Sequence, residues 1–314
     1  MAQLRICELN TENLFISLDH YQGGGIEHLS EKEWRHLALP QLRRKQKSLK
    51  KLWSLSSAIL DINADVLMLI EVGGKESLHH FNDLFLEKKY VAHFVESNSA
   101  RTIDLAFLVK KNLPFEVEAI SNRDMPIEVQ AYQGAFAAKF SRDVAQLNLS
   151  KNHKLEMILL LTHLKSKISS DRDFQGKDMR TAEAVALAAL YEKARAQYPD
   201  VPIVVGGDFN ASLESPELAP LTRTDLTDLH DILQTPPDQR VSFVHFDYKK
   251  VAHPQVLDYL LLSPQLKTHI VPEKSGVYHY KSFYDIPYPQ PKTPGERYMM
   301  PSDHYPVVLT LNLA

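Results

Sequence analysis

The sequence predicts an α/β fold. Short apolar runs with little internal alternation recur along the chain, and segments of helical periodicity lie between them. No repeat, low-complexity tract or linker interrupts the 314 residues. Nearly continuous apolar runs are what strands covered on both faces require. The composition, 44% hydrophobic and 24% charged, is that of a globular chain able to bury a sizeable core. A single unit spanning residues 1–314 is the expectation.

The strand candidates, in order, are Leu4–Leu9, Val66–Ile70, Ile103–Val109, Ala135–Phe140, Met157–Thr162, Ile203–Val205, Val256–Leu262 and Pro306–Leu311. Leu49, Leu52, Trp53, Ser56, Ile59 and Leu60 recur at helical spacing and stop before Asp65. Leu78, Phe81 and Phe85 mark a second helix. Ala182, Val185, Ala186, Ala189 and Leu190 mark a third, starting near Arg180. The Pro-rich residues 285–301, DIPYPQPKTPGERYMMP, predict a long loop that is ordered or gating. LRRKQKSLKKLW holds six basic residues between Arg43 and Lys51. Such a run suits a nucleic-acid or membrane contact. Leu49, Leu52 and Trp53 instead favour an amphipathic helix with a solvated basic face. No aromatic residues interleave the run as a stacking platform would need.

A net charge of −3 provides no global field to draw in nucleic acid, so any such contact must be local. The lone Cys7 excludes an internal disulfide and fits a reducing compartment. MAQLRICELN reads as a strand and lacks the pattern of a secretory signal. No apolar run reaches transmembrane length. A cytoplasmic protein without stable membrane insertion is the expectation.

The polar residues concentrate at strand ends. ICELN finishes with Asn10, VLMLIE with Glu71, MILLLTH with His163, and IVVGGDFN with Asp208 and Asn210. Each can bind metal or phosphate, and α/β sheets place ligand sites outside strand ends. In extended backbone, Asp208 and Asn210 share a face while Phe209 turns to the core. An Asx-type turn, with both side chains bonded to local backbone, fits the same stretch. Asp258 lies inside the apolar VLDYLLLS, where a carboxylate needs a partner. His304, in MPSDHYPVV, is the candidate, and backbone N–H groups are the alternative. Pro301 and Pro306 disfavour regular pairing around Asp303 and His304. A bend there would send both side chains into one pocket, whereas a plain surface turn would not.

Together ELNTENLF, DVLMLIEV, RTIDLAFLVKK, LLLTHLKSK, VVGGDFN, VLDYLLLS and PSDHYPVVLTL resemble the endonuclease/exonuclease/phosphatase superfamily, from residue 8 to residue 311. ELN departs from the family's commoner aromatic before the asparagine. The resemblance implies the DNase I-like fold, a four-layer α/β sandwich of two packed mixed sheets flanked by helices. It implies that Asn10 and Glu71 bind Mg²⁺ or Mn²⁺, with Asp303 a further ligand. Asp208 would orient or deprotonate the attacking water, and Asn210 would donate to the phosphate. His304 would stand at the scissile phosphate, its tautomer fixed by Asp258. His163 resembles a histidine of the DNase I, sphingomyelinase and inositol-phosphatase branches, where AP endonucleases usually carry asparagine. Arg101, Lys165 and Arg180 are the phosphate-contacting candidates; Arg101 and Lys165 are alternatively exposed loop cations, and Arg180 alternatively braces the loop after His163. Asn13 is placed to brace Asn10.

The resemblance implies a divalent-metal phosphoester hydrolase, foremost a nuclease on DNA or RNA. A small or lipid phosphoester, such as an inositol phosphate or sphingomyelin, is the alternative substrate. A binding protein without activity is disfavoured, because every expected catalytic residue type is present.

Overall fold

Two six-stranded mixed sheets form the frame of the computed structural model, which describes residues 3–18, 24–37, 46–131, 134–169, 173–282 and 284–313. The first sheet runs β15 (Gly276–Val277), β16 (Val307–Asn312), β1 (Gln3–Leu14), β2 (Val66–Val72), β4 (Asp104–Lys110) and β3 (Tyr90–Val95). Within it only β1 and β2 are parallel. The second runs β11 (Thr227–Asp228), β14 (Asp258–Leu262), β10 (Ile203–Asp208), β9 (Lys154–His163), β8 (Val144–Lys151) and β5 (Glu116–Ser121). Here only β9 and β10 are parallel.

The unbroken apolar runs are explained by three cores. Leu4, Ile6, Met68 and Phe107 meet Leu147, Leu159, Val204 and Leu260 between the sheets. The alternate residues Cys7, Leu9, Leu67 and Leu69 face outward. There they pack with Trp34 of α1 (Glu31–His36), Leu52, Leu55 and Ile59 of α2 (Leu49–Ile62), and Phe81 of α3 (Lys75–Phe85). Ile158, Leu160 and Val205 face α4 (Lys177–Gln197) on the far side. Both faces of the central strands are thus dry, at roughly 1.5–3 kcal/mol per buried aliphatic side chain. Helix, sheet, sheet, helix is the four-layer sandwich.

All eight strand candidates exist, with one relocation. Ala135–Phe140 becomes β7 (Gly134–Lys139), which pairs with β6 (Pro126–Ala131) in a separate hairpin. Ile127 and Val129 of that hairpin join the α4 core. Helix α4 begins at Lys177, three residues before Arg180. The Pro-rich stretch contains α5 (Pro294–Met299), started by a capping box between Thr293 and Glu296. The basic run needs correction. Its helix starts only at Leu49, and Lys47 is buried. Lys47 Nζ donates to the carbonyls of Thr11 (2.9 Å) and Glu12 (3.1 Å). It braces β1 instead of facing solvent. Arg43, Arg44 and Lys45 lie outside the described residues.

Strand β10 shows why its end carries glycines. Gly207 has φ +152°, and an added Cβ would sit 2.0 Å from the Thr162 carbonyl oxygen of β9. Gly207→Ala should therefore lose at least about 2 kcal/mol of stability, measured by denaturant unfolding. An unchanged midpoint would contradict this close packing.

Candidate active site

The polar residues meet because the register of the strands brings their ends together. Asp208 pairs in register with His163 of β9 on one side and Asp258 of β14 on the other. Across the sandwich, Asn10 Nδ2 donates to Asp208 Oδ2 at 3.2 Å. The chain leaves β10 through an Asx turn, with the Asn210 N–H donating to Asp208 Oδ1 at 2.9 Å. Asn210 has φ +53°, so the simple i, i+2 rule does not apply to it. Its Nδ2 donates to the Leu164 carbonyl at 3.1 Å. Phe209 is fully buried and stacks on Tyr259, as its apolar ring requires.

His304 lies on Asp258. The Asp258 oxygens stand 3.0 and 2.8 Å from His304 Nδ1, and the carboxylate is wholly buried. Burial opposes charge on His304, but Asp258, then Asp208 and Asp303, outweigh it and raise the imidazole well above its ordinary pKa. Nε2 is left facing Asp208 Oδ2 at 4.0 Å. Burial, opposed in part by His304, pushes Asp208 up to about 7. His163 is the opposite case. Burial, Arg142, His304 and Arg101 hold it well below the ordinary value, and its Nε2 lies 3.6 Å from Asp208 Oδ2. One buried histidine is thus driven towards charge and the other away from it.

Glu71 and Asp303 form the other half of the site. Glu71 has φ +61°, and its Oε2 accepts from the Asn13 N–H at 3.0 Å. Burial first, then the neighbouring Asp303, raise its pKa. Two carboxylates that repel one another fit a hard divalent cation, and Asn10, whose Oδ1 accepts from the Glu12 N–H at 3.0 Å, ends the neighbouring strand beside Ile70. Asp208, Asp258 and His304 also bring one ligand-capable atom each within 4.8 Å of one another, a further group that could hold a metal. Ser302 Oγ donates to the Asn10 carbonyl at 2.7 Å and accepts from the His304 N–H at 3.3 Å. It holds a bend in the SDH segment, the alternative to a plain surface turn.

The cationic candidates divide. Arg101 Nη2 donates to Asn13 Oδ1 at 3.1 Å, which places it beside Glu71. Arg180 is 1% exposed and is committed to the carbonyls of Lys165 and Gln175 and to Glu217. These contacts brace the loop after His163, the alternative role the sequence offered for it. Lys165 Nζ turns onto the carbonyls of Ser166 and Ile168 in its own loop.

Several site residues have no motif. Buried Arg142 donates to the Leu164 carbonyl at 3.3 Å and helps keep His163 neutral. Buried Glu183 accepts from the N–H groups of Ser141 and Lys165. The Phe243 ring lies 4.7 Å from the His304 ring. Glu8 is fully buried with neither oxygen partnered among the described residues, and burial, Asp258 and Asp208 raise its pKa. Alternation alone puts Glu8 on the inner face with Ile6 and Asn10, a signal readable in ICELN.

The chain superposes on truncated TDP2 from Caenorhabditis elegans with a TM-score of 0.60 at 17% identity, covering 99% of this chain and 98% of that one. It superposes on D. rerio TDP2 complexed with single strand DNA product with a TM-score of 0.60 at 14% identity, covering 100% of both chains. The human Nocturnin catalytic domain with bound sulfate gives 0.60 at 16% identity, covering 99% of this chain and 94% of that one. At these identities the likeness shows the fold. No curated protein matches the chain in sequence. The model of the Endonuclease/Exonuclease/phosphatase family matches residues 30–304, and with nearly the whole chain covered the protein belongs to that family of phosphoester hydrolases.

Proposed function

We propose that this protein is a divalent-metal-dependent phosphodiesterase that cleaves nucleic acid by in-line attack of water on phosphorus. The observation that carries the proposal is one buried cluster. His304 is held on Asp258, with Asp208 beside it, and both lie near the carboxylate pair Glu71 and Asp303. In this reading Asp208, poised near neutrality, accepts the proton of the attacking water. His304, kept charged by Asp258, donates from Nε2 to the phosphoryl oxygens as charge grows there. Neutral His163 is a second donor, and Asn210 contributes a carboxamide. Arg101 adds positive charge at the Glu71 edge.

Asn10, Glu71 and Asp303 are the proposed holders of Mg²⁺ or Mn²⁺, an all-oxygen set suited to a hard cation. When bound, such an ion offsets negative charge on the phosphoryl oxygens. The structural neighbour that holds a single strand DNA product supports nucleic acid as the substrate. His163 keeps a small or lipid phosphoester as the second reading, because the residue is shared with those branches of the family. Among the described residues no helix is long and apolar enough to cross a membrane. The proposal places one catalytic unit in the cytoplasm.

His304→Ala and Asp208→Ala should each lower turnover about 10²–10³-fold while leaving the circular dichroism spectrum intact. Near-normal rates in folded, metal-supplied variants would remove those roles. The pH profile has a definite sign. Activity should rise with pH through about 7 as Asp208 ionises, and should fall at alkaline pH as His304 loses its proton. Asp258 raises the His304 pKa, so Asp258→Asn should move the alkaline limb of kcat/KM to lower pH. A limb left in place would show that it belongs to another group. EDTA should abolish cleavage, and Glu71→Gln should raise the Mg²⁺ concentration needed for half-maximal rate. A variant with unaltered Mg²⁺ dependence would remove Glu71 from the metal set.

A further inference from the structure

Beside His304 a two-stranded finger leaves the sandwich. Strands β12 (Phe243–Phe246) and β13 (Ala252–Gln255) are antiparallel, with residues 247–251 at the tip. The base of the finger is fixed to the catalytic segment. Phe243 forms a backbone bridge with His304, and the Tyr305 N–H donates to the Ser242 carbonyl at 2.8 Å. Arg297 of α5 lies over the rings of Phe243 (5.5 Å) and Phe246 (5.3 Å) and donates to the Val244 carbonyl at 2.9 Å. These contacts make the finger a rigid extension of the site.

His245 and His253 are directly opposite in register, with rings 6.3 Å apart, and both are exposed. Side chains alternate along a strand, so His245 shares its face with Phe243, whose ring rests on His304. A strand rises about 3.4 Å per residue, which sets the pair roughly 7 Å further from the reaction centre. Burial, then the positive charges of Arg297, His253 and Lys167, lower the pKa of His245. Basic groups therefore crowd one small face of a protein whose net charge is −3. Asp247 is the acidic neighbour. Its Oδ1 accepts from the N–H groups of Lys249 (2.8 Å) and Val251 (2.9 Å), and its Oδ2 lies 3.3 Å from His253 Nε2. It shapes the tip and orients one imidazole.

We propose that His245 and His253 form a subsite for a second phosphate of the substrate, the phosphate adjoining the scissile one in a nucleic-acid strand. This rests on the nucleolytic reading above. Four features support it: two exposed imidazoles paired in register, neighbouring cations, a rigid link to His304, and a position one strand repeat beyond Phe243. A substrate with a single phosphate leaves the subsite empty. A polynucleotide fills it, and the acquired anion favours protonated imidazole.

The test compares the wild type with the His245→Gln/His253→Gln double variant. Each is assayed on a single-stranded oligonucleotide and on bis-p-nitrophenyl phosphate with Mg²⁺. The expected result is roughly a tenfold or larger loss of kcat/KM on the oligonucleotide, unchanged hydrolysis of the ester, and a salt dependence shallower by about one phosphate contact. Equal losses on both substrates, or no loss on either, would overturn the subsite while leaving the nucleolytic reading standing. A wild-type protein that hydrolyses the ester and cuts no nucleic acid would overturn both.

Discussion

A single buried ion pair organises the site. Asp258 is completely buried, and both its oxygens face one nitrogen of His304. Taking a carboxylate out of water is costly unless a partner meets it, and removing one partner of such a pair leaves the other stranded. The surrounding structure holds the two partners together. Ser242 Oγ accepts from the Leu257 and Asp258 N–H groups, both at 3.0 Å, and fixes the start of β14. Ser302 bends the His304 segment back onto Asn10, and Tyr280 donates to the His304 carbonyl at 2.7 Å. The two sheets must therefore close in one register for the pair to form.

The same field gives neighbouring groups different roles. His304 and His163 are both buried and both face Asp208, yet they are shifted in opposite directions. His304 has a carboxylate on its far side, whereas His163 has the guanidinium of Arg142 nearby. Left-handed backbone at Glu12, Asn13, Glu71 and Asn210 gathers at this end of the sandwich. Such conformations persist where the surroundings over-determine them, and here they aim carboxylates and carboxamides at one small volume.

Much of this was legible in the chain. Asn10, Glu71, His163 and Asp208 each terminate an apolar run, and a run that stays dry on both faces can expose a polar group only at its end. Asp258 was readable because an acid inside VLDYLLLS demands a partner. The rest depends on contacts distant in sequence. Arg142 follows no motif and matters only because β8 brings it beside Leu164. Arg180 and Lys165 have the right charge and a suitable position in sequence, but the loop carbonyls that engage their side chains could not be read from it. Lys47 looked solvated in a basic run, yet the carbonyls of Thr11 and Glu12 claim its ammonium. The His245–His253 face was invisible because its members come from two strands too short to show periodicity.

The most direct measurement is an ¹⁵N NMR titration of the histidine side chains in the metal-free protein. A free imidazole, with a pKa of about 6.5, is mostly neutral at pH 7. The expected result is that His304 still carries both ring protons at neutral pH, while His163 holds only one even in mild acid. Asp258→Asn should release the second proton of His304. A neutral His304 at pH 7 in the wild type would contradict the electrostatic basis of the site.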